Sequence, residues 1–396
     1  MELTFDRLVK FDLIEELQAS LFKQKKMGFV KDFYETLQAI QSVDQFIKES
    51  PSFPGSTDKI IRSELVSAIG ATLSIEGTVL GEEEIEESFR KASLNMALER
   101  KEQEAENSRK VYSFIIDLVK NSRNNFVHQE NIIKQIHSYF TENMNYLGNK
   151  PGEFRDFSTT FGVPRRTGLC KTKSEVCKAM SGFVGWLNKK SVGILSSRVI
   201  VKAIMSHYYL AEIHPFADGN GRTARALEAL VLYANGINDY CFWSLANFWS
   251  THRDEYIVHL GNIRNICNPW DFVIWGMKGY LNEIERIKSL VLKKVKQLML
   301  MDYAKYLAET KREQKIKLNQ RIVDVLRLLI RSGKVSFDKF RSSPEVTALY
   351  KNVKPITKYR DFKIMQEAGL ARLEKENKVV FIEPNFQILD YVRYNV

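Results

Sequence analysis

Proline and glycine are scarce in this chain, with 9 and 20 among 396 residues. That excludes collagen-like and Pro/Gly-rich disordered architectures and leaves few places where a helix must break. Cysteine is scarcer still: Cys170, Cys177, Cys241 and Cys267 form no C-x-x-C pair, and no histidine stands at zinc-finger spacing from them. A disulfide-stapled scaffold and a zinc ribbon are therefore excluded, and reduced, structural thiols in a reducing compartment are expected. No run of about 18 uncharged apolar residues occurs, so no transmembrane helix and no membrane partner are expected. The opening MELTFDRLVK lacks a basic segment followed by an apolar run, so no signal peptide is expected. The cytoplasm is the expected location, with secretion by a route the sequence does not show left open. No repeat or low-complexity segment is present.

What is present is a balanced, helix-forming composition, 44% hydrophobic and 27% charged. The length suggests two or three domains. The net charge of +11 is uneven: residues 311–396 hold 19 Lys and Arg against 10 Asp and Glu, a net of +9, which leaves +2 for the first 310. A local basic excess points to a polyanionic partner for the C-terminal part.

Apolar periodicity predicts two helices within 5–48, a helix from Ile60 to Leu73 capped by Gly77, and a helix opened by GEEEIEE at 81–87. Further helices are predicted at 92–120, 129–145, 172–190, 196–212, 221–235 and 243–310. The segment 148–168, rich in Gly, Pro and Thr, reads as a loop or short hairpin. A charged connector runs from Glu309 to Lys317. Helices at 320–332, 336–349 and 355–368 and a two-stranded segment at 371–384 follow, the order of a winged helix-turn-helix.

The chemistry is concentrated in HPFADGNGRTAR, residues 214–225. Gly219-Asn220-Gly221 stands where a loop enters a helix, and free N–H groups at a helix N-terminus favour an anion such as phosphate. Arg222 and Arg225 lie about one turn apart on that helix and can grip further phosphate oxygens. Asp218 adds a hard oxygen ligand suited to Mg²⁺ on a polyphosphate. His214 is the one base in the loop that titrates near neutrality. An anion nest, a metal ligand, two cationic clamps and a base together suit transfer from a nucleotide to a hydroxyl.

This segment resembles the Fic motif, H-x-F-x-D/E-G-N-G-R-x-x-R, at every specified position. Eight positions at roughly one in twenty each give a chance match on the order of 10⁻¹⁰ per starting point. The resemblance implies a mostly α protein: an N-terminal helical region (1–100), a Fic-type helical core (101–310) with a short β-hairpin flap, and a winged-helix-like domain (318–396). It implies a protein adenylyltransferase that moves AMP from ATP, with Mg²⁺, onto a Ser, Thr or Tyr hydroxyl of a target protein. His214 would be the general base and Asp218 the Mg²⁺ ligand. Gly219, Asn220 and Gly221 would cradle phosphates, Arg222 and Arg225 would bind the outer phosphates, and Phe216 would anchor the loop. The intact Gly219-Asn220-Gly221-Arg222 favours AMP over the phosphate transfer of the kinase-like branch.

A second segment, Thr72-Leu73-Ser74-Ile75-Glu76-Gly77, resembles the Fic inhibitory motif S/T-x-x-x-E-G/N. It places the inhibitory helix at about 60–77 and pairs Glu76 with Arg225, so that ATP would bind with its α-phosphate misaligned. In some relatives the same Glu supports removal of AMP. The stretch Phe154 to Arg166 would be the flap that registers the target's main chain by strand addition, and Tyr256 would line the adenine pocket. In the C-terminal part, Lys354, Lys358, Arg360 and Lys363 on the third helix and Lys375 and Lys378 in the hairpin suit DNA phosphates or a protein partner equally. Self-modification and a homodimer whose exchange releases Glu76 are compatible with the sequence. Two other functions remain open: a nucleic-acid-binding regulator whose Fic core senses nucleotide, and transfer of another nucleotide-derived group.

Overall fold

A computed structural model describes residues 2–13, 27–51, 55, 57–122, 126–144, 148–189, 195–237, 243, 245–309 and 318–392. Cys241, the connector at 310–317 and residues 14–26 lie outside the described residues. The chain divides into two compact units, residues 1–288 and 289–396.

Among its described residues the first unit is helical save for one hairpin. Its helices run Phe5–Leu8, Met27–Glu49, Thr57–Ile75, Glu82–Ser93, Arg100–Ser122, Glu130–Thr141, Lys173–Asn188, Leu195–Ile213, Asn220–Ala234, Leu245–Thr251, Arg253–Ile266 and the first part of Trp270–Glu309. Helix Asn220–Ala234 is the centre. From Arg222 to Tyr233 every residue is buried, the mark of a helix packed on all sides. Ala224, Leu227 and Leu230 are wholly buried against helix Leu195–Ile213 and its neighbours. Its charged residues survive burial only because each is paired, and those pairings make the site.

Local chemistry explains the helix ends. Thr172 caps Lys173–Asn188: its hydroxyl accepts the Glu175 N–H at 3.3 Å, while the Glu175 carboxylate accepts the Thr172 N–H at 3.0 Å. Glu84 accepts the Gly81 N–H at 2.7 Å and closes the first turn of Glu82–Ser93. At the end of Thr57–Ile75, Gly77 takes φ +95° and the Thr78 N–H donates to the Leu73 carbonyl at 3.0 Å, the reversal that a left-handed glycine permits. The chain direction that this sets brings Glu76 onto the central helix.

Two long helices expected from periodicity are divided. The 92–120 stretch begins at Arg100, because Asn95 turns left-handed (φ +54°) and closes the preceding helix. The 243–310 stretch is three helices. His252 leaves helical dihedrals (φ −114°, ψ 37°), and Cys267 turns left-handed (φ 50°) just before Asn268-Pro269. Proline disfavours helical dihedrals in its predecessor, so that break carries a sequence signal the apolar pattern hid.

The second unit holds the rest of Trp270–Glu309, then helices Gln320–Ser332, Phe337–Arg341, Pro344–Leu349, Pro355–Glu367 and Ile388–Val392. Strands Val335–Ser336, Ala371–Glu376 and Val379–Pro384 form an antiparallel sheet with the last strand in the middle. The expected 336–349 helix is two, because Ser343 caps a new start at Pro344 and accepts the Val346 N–H at 3.4 Å. The two-residue strand at 335–336 is too short to show an alternating pattern, and was not expected. Leu300, Leu326, Phe362, Met365 and Ile382 share the core of this unit.

Candidate active site

The loop His214–Gly219 is fixed from three sides before any ligand is considered. Asn220 folds back on it: its amide oxygen accepts the Phe216 N–H and its NH₂ donates to the Phe216 carbonyl, both at 2.9 Å. Phe216 is fully buried and lies flat against the His137 ring, 3.7 Å between centroids at 1°. The His137 Nδ1 accepts the Gly152 N–H at 2.9 Å, so its proton sits on Nε2, which donates to the Asp218 carbonyl at 3.0 Å. Burial depresses the His137 pKa to about 4, which keeps this tautomer neutral.

The third brace is Arg155, buried beneath the loop. Its guanidinium donates to the carbonyls of His214 (2.6 Å), Cys170 (2.7 Å), Ile213 (3.3 Å) and Phe157. One planar fork thus gathers four backbone oxygens from segments far apart in sequence. Arg155→Met should strand those carbonyls and lower stability by about 3 kcal/mol or more. An unchanged urea midpoint would contradict this account. His137 and Arg155 were not legible in the sequence, since an isolated His and Arg carry no spacing signal.

His214 leaves helix Leu195–Ile213 with φ +51°, a left-handed turn that aims the ring across the loop. Its Nδ1–H donates to the Ala211 carbonyl at 3.1 Å, and the ring stacks on Phe161 of the hairpin at 4.0 Å and 5°. The Nε2 lone pair is then the one left for chemistry. Burial, helped by Arg155, lowers the His214 pKa to about 4, so the neutral, basic form prevails at physiological pH.

The helix that follows starts at Asn220 with Gly219 in the left-handed region, φ +75°. Gly221 has no side chain for a steric reason, because a β-carbon there would overlap the Glu76 carboxylate. Arg225 donates to Glu76 Oε1 at 2.7 Å, to the Thr72 hydroxyl at 2.8 Å and to the Thr72 carbonyl at 3.1 Å. The protein packed around the Glu76 carboxyl raises its pKa, but the charge and hydrogen bond of Arg225, with Arg222, outweigh that and hold it below its usual range. A carboxylate therefore occupies the N-terminal turn of the motif helix. Helix Thr57–Ile75 is held there by Ser74 to Ser250 (2.7 Å), by the Arg253 guanidinium donating to the Ile75 carbonyl (3.0 Å) and by Ser67 donating to Asn247 (3.2 Å).

Asp218 is half-exposed at the loop's mouth. One oxygen accepts the Gly219 N–H at 2.7 Å and the other lies 4.0 Å from the Arg222 guanidinium. Among the described residues no cluster of three or more metal-ligating side chains occurs. A single carboxylate facing solvent still fits Mg²⁺, which is commonly held by one or two carboxylates with waters and substrate phosphates.

Tyr256 is buried beneath the site. Its hydroxyl is hydrogen-bonded to His207 Nε2 at 2.8 Å, His207 Nδ1 to Glu228 at 2.7 Å, and it lies against Arg225. It is a buried brace for Arg225. The cavity beside His214, about 170 Å³, takes Ile257, Leu260 and Gly261 from the same helix, with Phe161, Val163 and Tyr208 across it. The hairpin over this cavity is shorter than the expected flap, pairing Thr160 with Thr167 and Phe161 with Arg166. Phe154 lies in the core against Phe216, at 5.5 Å.

A loop entering a helix at Gly219-Asn220-Gly221, with Arg222 and Arg225 on the helix and an imidazole on the flank, defines the site. Residues 127–232 match the Fic/DOC family, so the chain carries a Fic domain. The stretch is similar to protein adenylyltransferase fic-1 of Caenorhabditis elegans, 43% identical over 61 residues, 15% of this chain and 12% of that protein. It is also similar to protein adenylyltransferase Fic of Nematostella vectensis, 49% over 59 residues, 15% of this chain and 13% of that protein. The chain thus spans roughly one-eighth of the length of these relatives. A Fic family protein from Desulfovibrio desulfuricans G20 shares the fold at TM-score 0.55 and 15% identity, over 89% of this chain and 95% of its own. Part of Fic-1 from C. elegans does so at 0.54 and 20%, over 73% of this chain and 84% of its own. Among the described residues no helix is long and apolar enough to cross a membrane.

Proposed function

We propose that the Fic domain transfers AMP from ATP to a Ser, Thr or Tyr hydroxyl of a target protein, and that Glu76 of the same chain restrains it. The observation that supports this most is the Glu76 carboxylate lying on Arg225 at 2.7 Å and over Gly221. The motif helix receives an anion where a nucleotide's outer phosphates would otherwise lie. The relatives named adenylyltransferases support the choice of AMP.

In the reaction, His214 Nε2 takes the proton of the target hydroxyl. The oxygen forms a bond to the α-phosphorus as the bond to the pyrophosphate oxygen breaks, and pyrophosphate leaves. Gly219 and Gly221 let the backbone approach the phosphates, and Arg222 and Arg225 hold the outer ones as charge builds on the leaving group. Mg²⁺ at Asp218 would supply further screening of that charge. The exposed edge of the Thr160–Thr167 hairpin, beside His214, would register the target's main chain.

ATP labelled at the α-phosphate should leave label on protein, whereas ATP labelled at the γ-phosphate should not. Label retained from the γ-phosphate alone would replace this reading with phosphate transfer. The depressed pKa of His214 carries a second expectation. In Glu76→Gly, where the carboxylate's own titration is removed, kcat/KM should stay level from pH 8 to about 5 and fall only towards about 4. The sign follows from the neutral imidazole being the active form above its pKa. An inflection near 6.5 would show an ordinary solvated histidine instead.

A further inference from the structure

We propose that the second unit docks on duplex DNA through one face of helix Pro355–Glu367. The case rests on how that face is charged. Lys351, Lys354, Lys358, Arg360 and Lys363 fall within 13 residues, and the single acid among them, Asp361, is buried. Asp361 is consumed inside the unit, where its carboxylate accepts from Arg321 at 2.7 Å and from the Tyr350 hydroxyl at 3.2 Å. Acids elsewhere in the unit are used in the same way: Glu374 and Glu376 both accept from Lys334 at 2.6 Å, and Glu383 accepts from Arg372 at 2.5 Å. Among the described residues no carboxylate pairs with Lys351, Lys354, Lys358 or Arg360, and Lys363 meets Glu367 only at 3.7 Å. Lys358 is half-buried with its ammonium over the Tyr350 ring at 5.4 Å, so the exposed Lys351, Lys354, Arg360 and Lys363 are the cations left for a partner that is itself anionic.

Two apolar side chains stand out between those cations. Ile356 is 69% exposed and Tyr359 66% exposed, one turn apart on the same helix. Leaving both in water costs folding energy that the unit's core could have gained. An isoleucine and a tyrosine ringed by lysine and arginine can contact base edges and thymine methyl groups while the cations hold phosphates. The helix, about 20 Å long at 1.5 Å per residue, fits the wide major groove of B-form DNA. The deep, narrow major groove of A-form RNA does not admit a helix. Lys375 and Lys378, exposed near the turn of the adjacent hairpin, add two further cations.

The test is fluorescence anisotropy of a labelled, mixed-sequence 25-base-pair duplex titrated with the full chain at about 50, 100 and 200 mM salt. The chain should bind at the lowest salt and weaken steeply as salt rises. The triple variant Lys354→Ala, Arg360→Ala, Lys363→Ala should bind at least tenfold more weakly and show a salt slope shallower by up to about 3. Tyr359→Ala should weaken binding without changing the slope. A control that removes the same charge from exposed lysines of the first unit, Lys101→Ala, Lys120→Ala and Lys189→Ala, should bind like the unaltered chain. No binding at 50 mM salt would overturn the proposal and leave an acidic protein as the partner of this face. Equal weakening by the two triple variants would reduce the effect to diffuse charge and overturn it as well. An RNA duplex of the same sequence competing as well as DNA would overturn docking in the major groove.

Discussion

Glu76→Gly should incorporate about a hundredfold more label from α-labelled ATP than the unaltered chain, on itself or on added target. The size follows from geometry. A misplacement of about 1 Å at a reacting centre can cost on the order of a hundredfold in rate, and Glu76 holds Arg225 in a three-way clamp with Thr72. While that clamp holds, an incoming phosphate meets a carboxylate in place of a free guanidinium. Because position 76 ends a helix and Gly77 already reverses the chain there, a second glycine could fray it. Glu76→Gln guards against that reading. The amide keeps the side-chain length and removes the charge, so it should raise labelling part of the way. If neither variant labels beyond the unaltered chain, Glu76 is a structural brace and the restraint lies elsewhere. Trapping ATP on the unaltered chain without turnover would support misalignment rather than exclusion.

The motif residues were legible because they are contiguous: one loop and one helix start place Asp218, Gly219, Asn220, Gly221, Arg222 and Arg225 around one point whatever the rest of the fold does. Glu76 was legible through its own short motif, although only the tertiary structure brings positions 76 and 225 together. What was not legible is what comes from afar. Arg155 gathers four carbonyls from three places, His137 clamps the loop from a helix some 80 residues earlier, and the His207–Glu228 pair braces Tyr256 beneath Arg225. Each is a lone polar residue in an apolar pattern, and burial with saturated hydrogen bonds is a property of packing, which periodicity does not encode. The helical content and most helix centres follow the apolar pattern. The breaks at Asn95, His252 and Cys267 escaped it because a single left-handed or non-helical residue leaves the pattern on either side intact.

Removing the imidazole should cost more than any other single change at the site. In the Glu76→Gly background, His214→Ala should lower the rate of AMP transfer by about 10²- to 10⁴-fold, the usual worth of a positioned general base, while ATP affinity changes little. Alanine is an imperfect probe here. Position 214 sits at φ +51° and its ring is sandwiched against Phe161 at 4.0 Å, so alanine both strains the turn and empties the stack. Asparagine tolerates left-handed dihedrals far better than other non-glycine residues and lacks a base. His214→Asn should therefore fold as the parent does and still lose the rate. Loss of rate in both variants with unchanged binding of ATP assigns the proton transfer to His214. Retained rate in His214→Asn at unchanged stability would mean that the histidine merely shapes the loop, and that the hydroxyl loses its proton to another group.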